Sequence, residues 1–319
     1  MPASEASILS LHHVTATVAD AQDDLDFYGG LLGLRLVKKT VNFDNHHVFH
    51  FYYGDERGTP GTIMTTFPYK GYRVPVGRKG AGQINETAFS VPTGSLDEWR
   101  RRLTEGGVAI TGEGTRFGEP FLSIADPSGL DIELIETGTD ARPPWTGSSV
   151  EGGMGVRGVH SVSLTVHEAP GSIAFLTDVL GWRVIAQLGN RTRLGIGGSG
   201  PGKTIDILHA PNAPPAMNGL GTVHHVAMAI DTPEEQLQAR EGLLRLGVGV
   251  TEVRDRQYFL SIYFREPGGV LYEIATMKPG FSVDEPTSQL GAELKLPPWE
   301  EPHRAEIEAG LPPVKVPSR

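Results

Sequence analysis

The chain has 319 residues, a length typical of two domains of about 150 residues each. Glycine and proline (41 and 24 residues) make up a fifth of it, which favours short strands and turns over a helical bundle. A net charge of −10 without a basic cluster argues against a nucleic-acid partner, and the lack of cysteine excludes disulfides and thiolate metal ligands. No apolar run approaches the ~18–20 residues of a membrane span, and the first residues lack the pattern of a signal peptide. We therefore expect a cytoplasmic protein that does not bind membranes.

Four segments repeat one pattern along the chain. Each opens with a strand that alternates apolar and polar residues, continues with a helix and further strands, and closes with a strand that follows a glycine. The opening strands are LHHVTATVAD, INETAFSVPT, VHSVSLTVHE and VHHVAMAIDT. The closing strands are GTIMTTFP, DPSGLDIELIE, GKTIDILHA and EPGGVLYEIAT. The helices are predicted at residues 21–33, 96–107, 169–181 and 233–247, each ending at a glycine.

A single segment is too small to bury both faces of its sheet, so the modules should pair. The sequence thus predicts an α+β fold in which four βαβββ modules form two curved-sheet barrels. We expect an N-terminal domain of two modules at residues 1–145 and a C-terminal domain of two modules at residues 146–276. A proline-rich C-terminal arm follows at residues 277–319, with one helix near residues 302–309, and it is expected to pack over the domains or a neighbouring subunit.

The repeat aligns a pair of positions in each module, separated by 45 to 52 residues. The position in the opening strand is occupied by His13, Glu86, Ser161 and His225. The position in the closing strand is occupied by Thr65, Glu133, Asp206 and Glu273. The near-constant spacing indicates that the two strands bring these side chains together in every module.

Three of these residues, His13, His225 and Glu273, predict a metal site. Two imidazoles and one carboxylate form the facial triad of non-haem Fe(II) oxygenases, which leaves positions for substrate and O2. An unpaired charge at Glu273, between apolar neighbours, would be costly to bury, which favours a cationic partner there. The site can form only if the first and fourth modules are neighbours.

The middle modules lack an imidazole at the equivalent positions Glu86, Glu133, Ser161 and Asp206. We expect a structural cavity there, with a hard cation such as Ca²⁺ or Mg²⁺ as the alternative, and whether that cavity has any role stays open. A further histidine cluster occurs in NHHVFHFYY at residues 45–53. There, His46 and His47 are expected in a solvated loop, His50 is a candidate for lining the cavity of the first module, and a second metal is the less favoured alternative.

Polar residues near the predicted site are candidates for acid–base work. Thr15 shares a strand face with His13, and strand alternation allows Arg256 and Tyr263 to point inward as donors to a substrate oxygen. Adjacent strand residues point to opposite faces, so only one histidine of each HH pair can be a ligand. For His12 and His224 a role near the metal and a purely structural role are both open from the pattern alone.

The module pattern resembles the vicinal oxygen chelate superfamily, which includes glyoxalases and bleomycin-resistance proteins. Within it, LHHVTATVADAQDDLDFYGGLLGLRLVKKTVNFD, YYGDERGTPGTIMTTFP, FREPGGVLYEIATMKPGF and LPPWEEPHRAEIEAGLPPV resemble ring-cleaving dioxygenases that act on para-hydroquinones. The resemblance implies Fe(II) held by His13, His225 and Glu273, although Mn(II) also accepts such donors. It implies catalytic roles for His12, Thr15, His224, Arg256 and Tyr263.

The implied activity is that of an extradiol-type dioxygenase, which inserts both atoms of O2 into a hydroquinone next to a hydroxyl-bearing carbon. Its partners would be a small aromatic substrate and O2, and a homo-oligomer is open because the superfamily often pairs subunits. Two alternatives remain: a glyoxalase-like metal-dependent isomerase or lyase, and an aromatic-binding resistance protein. Thr65 is a poor metal ligand, whereas isomerases of this type usually carry a fourth protein ligand, so it argues against the first. The sequence leaves the substituents of the ring undetermined.

Overall fold

The computed structural model describes residues 7–151 and 153–317. Sixteen strands in this part of the chain belong to four modules of four strands each. The first module has β1 (Ser10–Val18), β2 (Arg35–Asn42), β3 (Asn45–Gly54) and β4 (Ile63–Pro68), and the second has β5 (Gln83–Val91), β6 (Ile110–Arg116), β7 (Glu119–Ala125) and β8 (Asp131–Glu136). The third has β9 (Gly158–Val166), β10 (Arg183–Leu188), β11 (Arg191–Gly195) and β12 (Thr204–His209), and the fourth has β13 (Thr222–Ile230), β14 (Arg254–Asp255), β15 (Phe259–Arg265) and β16 (Leu271–Pro279).

The strands form two curved, eight-stranded sheets. The first sheet has the order β14-β15-β16-β13-β1-β4-β3-β2, and the second has the order β10-β11-β12-β9-β5-β8-β7-β6. The first and fourth modules therefore share one sheet, joined by antiparallel β1 and β13, while β5 and β9 join the second and third modules. The predicted α+β fold of four paired βαβββ modules is confirmed. Each sheet takes one module from either side of residue 145, and the division into domains at that point stays a prediction.

Four helices cross over between the first and second strands of the modules, where the sequence predicts them. They are α1 (Ala21–Leu25), which continues as a π-helix (Asp26–Leu31), α2 (Leu96–Glu105), α3 (Ala169–Ala174), which continues as a π-helix (Phe175–Val179), and α4 (Pro233–Arg245). Helix α4 begins with a capping box, since the side chains of Thr232 and Glu235 each accept from the other's backbone N–H. Among the described residues, no helix combines the length and the apolar character that crossing a bilayer requires.

The backbone register repeats in all four modules. The parallel pairs Thr15–Thr65, Ala88–Glu133, Ser163–Asp206 and Ala227–Glu273 each join a closing-strand position to the residue two places after an opening-strand position. Residues two apart on a strand share a face. The aligned positions of every module thus face the same side of their sheet, as the spacing predicts.

The C-terminal arm packs along the first sheet and contains α5 (Arg304–Gly310), which confirms the predicted helix within two residues of its start. Short 3₁₀ turns precede it at Phe281–Val283, Thr287–Gln289 and Glu301–His303. The fully buried ammonium group of Lys38 on β2 lies 2.5 Å from Asp284 Oδ1 and also bonds Glu285. Gly291 has φ +78°, and a Cβ there would lie 2.0 Å from the Leu36 carbonyl oxygen. The backbone of the arm at Gly291 therefore lies directly against the backbone of β2, where a side chain would not fit.

Candidate metal centre and active-site cavity

Three neighbouring strands of the first sheet, β1, β13 and β16, carry His13, His225 and Glu273 to one point. The Nε2 atom of His225 lies 2.8 Å from Glu273 Oε2, and the Nε2 atom of His13 lies 3.4 Å from the same oxygen. The two Nε2 atoms are 3.3 Å apart. All three side chains are buried. The three donor atoms thus lie close enough together to bind one ion.

Each of these histidines is held by its neighbour in sequence. The Nδ1 atoms of His12 and His13 are 2.9 Å apart, and those of His224 and His225 are 2.8 Å apart. An ion on Nε2 of His13 or His225 requires the ring proton on Nδ1, and the neighbouring Nδ1 is its acceptor. Such a bond fixes both the tautomer and the orientation of a ligand ring.

The pKa shifts of the site residues favour the binding of a metal ion. Burial, followed by the adjacent ligand histidine, lowers the pKa of both His12 and His224 to about 3, so both rings are neutral. Burial also lowers the pKa of His225. Burial raises the pKa of Glu273, but the facing His13 and His225 outweigh it and hold that pKa well below its usual range. The set therefore offers imidazole nitrogens beside an ionised carboxylate.

The carboxylate of Glu273 itself lacks a full set of partners. The hydroxyl of Ser261 donates to Oε1, whereas Oε2 is buried and faces the Nε2 atoms of His13 and His225, which have no proton to donate when the ring proton is on Nδ1. A buried, unpartnered carboxylate oxygen is costly unless a cation compensates it. The two imidazoles facing it are donors that first-row divalent metals accept. The residues present therefore fit a divalent metal.

The donors open onto a cavity of about 250 Å³. Of the five residues to which the resemblance assigns catalysis, Thr15, His224, Arg256 and Tyr263 line this cavity. His12 does not line it and instead borders a separate pocket beside Gly58 and Phe281. The other lining residues are Thr17, Asn42, Phe43, Asp44, His50, Tyr52, Phe67, Tyr69 and Phe259.

Arg256 and Tyr263 form one unit at the wall of the cavity. The Nε–H of Arg256 donates to the Tyr263 hydroxyl over 3.1 Å, and its Nη2 lies 3.1 Å from the carboxylate of Asp44 at the hairpin between β2 and β3. Burial, followed by the charge of Glu273, raises the pKa of Tyr263, so its hydroxyl stays protonated. This unit presents a neutral hydroxyl to the cavity, and the guanidinium holds that hydroxyl in place.

In the first module, Thr65 occupies the place equivalent to Glu273. Its hydroxyl donates to Thr15 Oγ1 over 2.9 Å, and His50 Nε2 lies 2.9 Å from the same Thr65 oxygen. His50 lines the cavity, as its strand position indicates. A hydroxyl engaged in this way is not a metal ligand, so the fourth place of the repeat stays polar but uncharged.

Several features of the site escape the sequence analysis. Ser261 lies two residues before Tyr263 on β15, and strand alternation could have indicated its position on the site face. The mouth residues Asn42 and Asp44 lie at a hairpin, which no motif marks. The expectation of a loop at His46 and His47 is wrong. The turn between β2 and β3 occupies only residues 43–44, and strand β3 begins at residue 45.

At the equivalent place in the second sheet, arginines neutralise the carboxylates. Arg116 makes a bidentate pair with Glu133 at 2.7 and 2.8 Å, and Arg193 pairs with Asp206 at 2.8 and 3.0 Å. Arg191 lies 3.0 Å from Glu86 and also bonds Ser163, the residue that pairs in register with Asp206. Guanidinium groups thus supply the positive charge that a cation would otherwise supply, as expected of a structural cavity.

Two curved sheets of paired βαβββ modules, with one buried His/His/Glu set, define a class of metal-dependent proteins. The profile of the Glyoxalase/Bleomycin resistance protein/Dioxygenase superfamily matches residues 10–134 and 158–274. The chain belongs to this superfamily, and the family resemblance carried by the sequence motifs is confirmed.

Relatives match over almost the whole chain. A Bacillus subtilis protein, MhqO, whose name provisionally assigns it as a ring-cleaving dioxygenase, is 40% identical over 308 residues, covering 97% of each chain. The chlorohydroquinone/hydroquinone 1,2-dioxygenase of Sphingobium indicum is 36% identical over 307 residues, covering 93% of this chain and 94% of that protein. A crystal structure from Bacillus subtilis, described as that of a provisionally assigned dioxygenase, superposes with a TM-score of 0.93 at 39% identity, covering 98% of this chain and 100% of the other.

Proposed function

We propose that this protein is an extradiol-type, ring-cleaving dioxygenase that depends on Fe(II), with Mn(II) as the other ion that such donors accept, and that its substrate is a hydroquinone. The observation that carries the proposal is the convergence of His13, His225 and Glu273 in a cavity where Thr65 fills the fourth place. Three protein donors leave a metal with positions for a substrate hydroxyl and for O2. The names of the relatives support the same class of reaction.

When bound, the metal would supply a Lewis acid that holds an ionised ring hydroxyl next to O2. Tyr263 is the residue best suited to hold the substrate oxygen. Because Arg256 donates to the Tyr263 oxygen, the phenolic proton of Tyr263 is left for a second acceptor in the cavity. A preorganised donor of this kind typically contributes ~10²–10³ in rate.

The histidines next to the ligands have different roles in this proposal. His224 lines the cavity as a neutral imidazole whose Nδ1 accepts from His225, so its Nε2–H is left as a donor to a substrate oxygen. His12 lies outside the cavity and bonds His13, so it acts as a positioning residue for that ligand. Thr15 accepts the hydrogen bond of Thr65, which leaves its own hydroxyl proton for a group in the cavity.

The size and lining of the cavity support a single aromatic ring. A cavity of roughly 150 Å³ takes up benzene, so about 250 Å³ admits a substituted ring together with O2. Three phenylalanine rings line it beside the polar groups: Phe43, Phe67 and Phe259. A flat apolar ring with hydroxyl groups at its edge matches such a lining.

The proposal is tested by reconstituting metal-free protein with Fe(II) under anaerobic conditions and then adding O2 and a panel of hydroquinone, methylhydroquinone and chlorohydroquinone. We expect consumption of one O2 per ring, formation of a ring-opened acid and loss of the substrate absorbance. Protein that binds Fe(II) but consumes no O2 with any member of the panel would refute the assignment. A parallel reconstitution with Mn(II) decides between the two metals.

The same experiment separates the alternatives. An isomerase or lyase would convert its substrate without consuming O2, and it would use a fourth ligand where this chain has Thr65. A protein that only sequesters aromatic compounds would bind the panel without metal and release it unchanged. The cytoplasmic location and the pairing of subunits stay predictions.

A further inference from the structure

A second cluster of metal-binding side chains lies at the surface, outside the cavity. The donor atoms of His46, His47 and Glu306 all lie within 4.8 Å of one another. His46 and His47 lie near the start of strand β3 of the first module. Glu306 lies in the first turn of α5, in the C-terminal arm. The cluster thus joins two parts of the chain that are some 260 residues apart.

We propose that this cluster is a second divalent-cation site, suited to Zn²⁺, that fastens the C-terminal arm to strand β3. Two imidazoles and a carboxylate are donors that zinc accepts, at about 2.0–2.2 Å. Donor atoms within 4.8 Å of one another can reach a common ion with small side-chain rotations. His47 and Glu306 are exposed, and their side chains have room to rotate.

The orientation of His46 supports the proposal. Its Nδ1 lies 2.8 Å from Glu300 Oε2, and the Glu300 side chain is only 13% exposed. A carboxylate on one ring nitrogen fixes the tautomer and directs the lone pair of the other nitrogen toward a metal. His46 therefore has the second interaction that is typical of histidine ligands.

The ion pairs of α5 also support a cation at this position. Glu301 and Glu308 both pair with Arg304, at 2.7 and 2.9 Å. Glu306, on the same short helix, has no ion pair among the described residues and instead faces the two histidines. A cation at this point would compensate a carboxylate that the arm leaves without a positive partner.

The proposed cation site lies beside arm residues that pack against the wall of the active-site cavity. The ring of Trp299 in the arm packs edge-on against Phe43 with centroids 5.6 Å apart, and Phe43 lines the active-site cavity. Glu300, the partner of His46, is the next residue of the arm. A cation that fastens the arm here would also stabilise one wall of the cavity mouth.

Zinc binding to the full-length, metal-free protein tests the proposal, with equilibrium dialysis counting the bound ions. We expect two Zn²⁺ per chain in the wild type, one in His47→Ala and Glu306→Gln, and one in Glu273→Gln, which removes a ligand of the other site. His167→Ala and Glu308→Gln, an exposed histidine and the neighbouring exposed glutamate of α5, are the matched controls and should still bind two. Glu300→Gln should weaken the second ion about 10–100-fold without abolishing its binding.

Tryptic cleavage of the arm gives an independent measurement. Zinc should slow cleavage after Arg304 or Lys315 in the wild type and in Glu273→Gln, but not in His47→Ala or Glu306→Gln. The proposal is overturned if His47→Ala and Glu306→Gln bind as much zinc as the wild type, or if Glu273→Gln binds none. Neither result would test the assignment of the dioxygenase site, because that assignment depends on different ligands.

Discussion

The Nε2 atoms of His13 and His225 lie 3.3 Å apart although 212 positions separate the two residues in the sequence. The contact exists because β1 and β13, the opening strands of the first and fourth modules, pair with each other in one sheet. Thr15 is in register with His225, and Ala227 with Glu273, so each ligand depends on the pairing of its strand. The metal centre is thus a consequence of how the outer modules associate.

Glu273→Gln should abolish metal binding at the buried site, and with it O2 uptake, while the protein stays folded. The amide keeps the shape of the carboxylate but removes the charge that the cation requires, and we expect metal affinity to fall by more than the ~10–100-fold typical of losing an outer partner. Metal content and O2 consumption are the measurements. Glu133→Gln, at the equivalent position of the second sheet, is the control and should keep both. An active Glu273→Gln enzyme would contradict the assignment.

Ser261→Ala should weaken metal binding by about 10–100-fold. The serine hydroxyl donates to Glu273 Oε1, and without it the carboxylate is less well oriented and less well solvated. Competition with a chelator would measure the affinity, and excess metal should restore most of the activity. Ser123→Ala removes a comparable bond of 3.3 Å to Glu133 in the second sheet and should leave the affinity unchanged.

Tyr263→Phe should lower kcat by ~10²–10³ with little change in metal content. The substitution removes the neutral hydroxyl that we assign to the substrate oxygen, and it leaves Arg256 without one of its acceptors. Tyr272→Phe is a close control, because the Tyr272 hydroxyl is buried without a hydrogen-bond partner and lies next to Glu273 in sequence. Equal kinetics for the two variants would remove Tyr263 from the reaction.

The repeat made much of this architecture predictable from the sequence. The side-chain period of a strand is two, so a constant spacing between opening and closing strands fixes which residues share a face. That reasoning is enough to bring His225 and Glu273 together. Strand alternation cannot predict partners that lie in turns. The contact of Asp44 with Arg256, for example, depends on the path of a hairpin.

The second sheet marks another limit of the sequence analysis. The repeat aligns its carboxylates, but it does not mark their arginine partners. Arg191 and Arg193 are two residues apart on β11, so they share a strand face, and Arg193 pairs in register with Asp206. That signal was available in the sequence. The contribution of Arg116, from an edge strand whose position depends on sheet pairing, was not.

Asp24→Asn should flatten the pH dependence of stability between about pH 4 and 8. Burial raises the pKa of Asp24 to about 8, although Thr66 and Tyr53 donate to its carboxylate. A folded-state pKa above the unfolded value means that the folded protein holds the proton more tightly, so stability is lost as pH rises through this window. At about 1.4 kcal/mol per pH unit, the wild type should lose roughly 3 kcal/mol more than Asp24→Asn from pH 5 to pH 8.

Urea unfolding at these two pH values measures the difference. Asp23→Asn is the control for the loss of a carboxylate, because Asp23 is exposed at the adjacent position, and it should follow the wild type. A wild-type stability that rises from pH 5 to pH 8 relative to Asp24→Asn would contradict the assigned direction of the pKa shift.

Arg191→Ala should destabilise the protein by more than the loss of an exposed ion pair does, without changing metal content. Arg191 is buried and bonds Glu86 and Ser163, so its removal leaves Glu86 with only the longer ion pair to Arg116 at 3.6 Å. Arg101→Ala breaks two ion pairs of an exposed arginine on α2, and such pairs are screened by water and contribute little to stability. Chemical denaturation of the two variants therefore compares a buried ion network with an exposed one. A similar small effect in both would mean that water or a bound cation takes the place of the guanidinium, and the second sheet would then have to be reconsidered as a cation site.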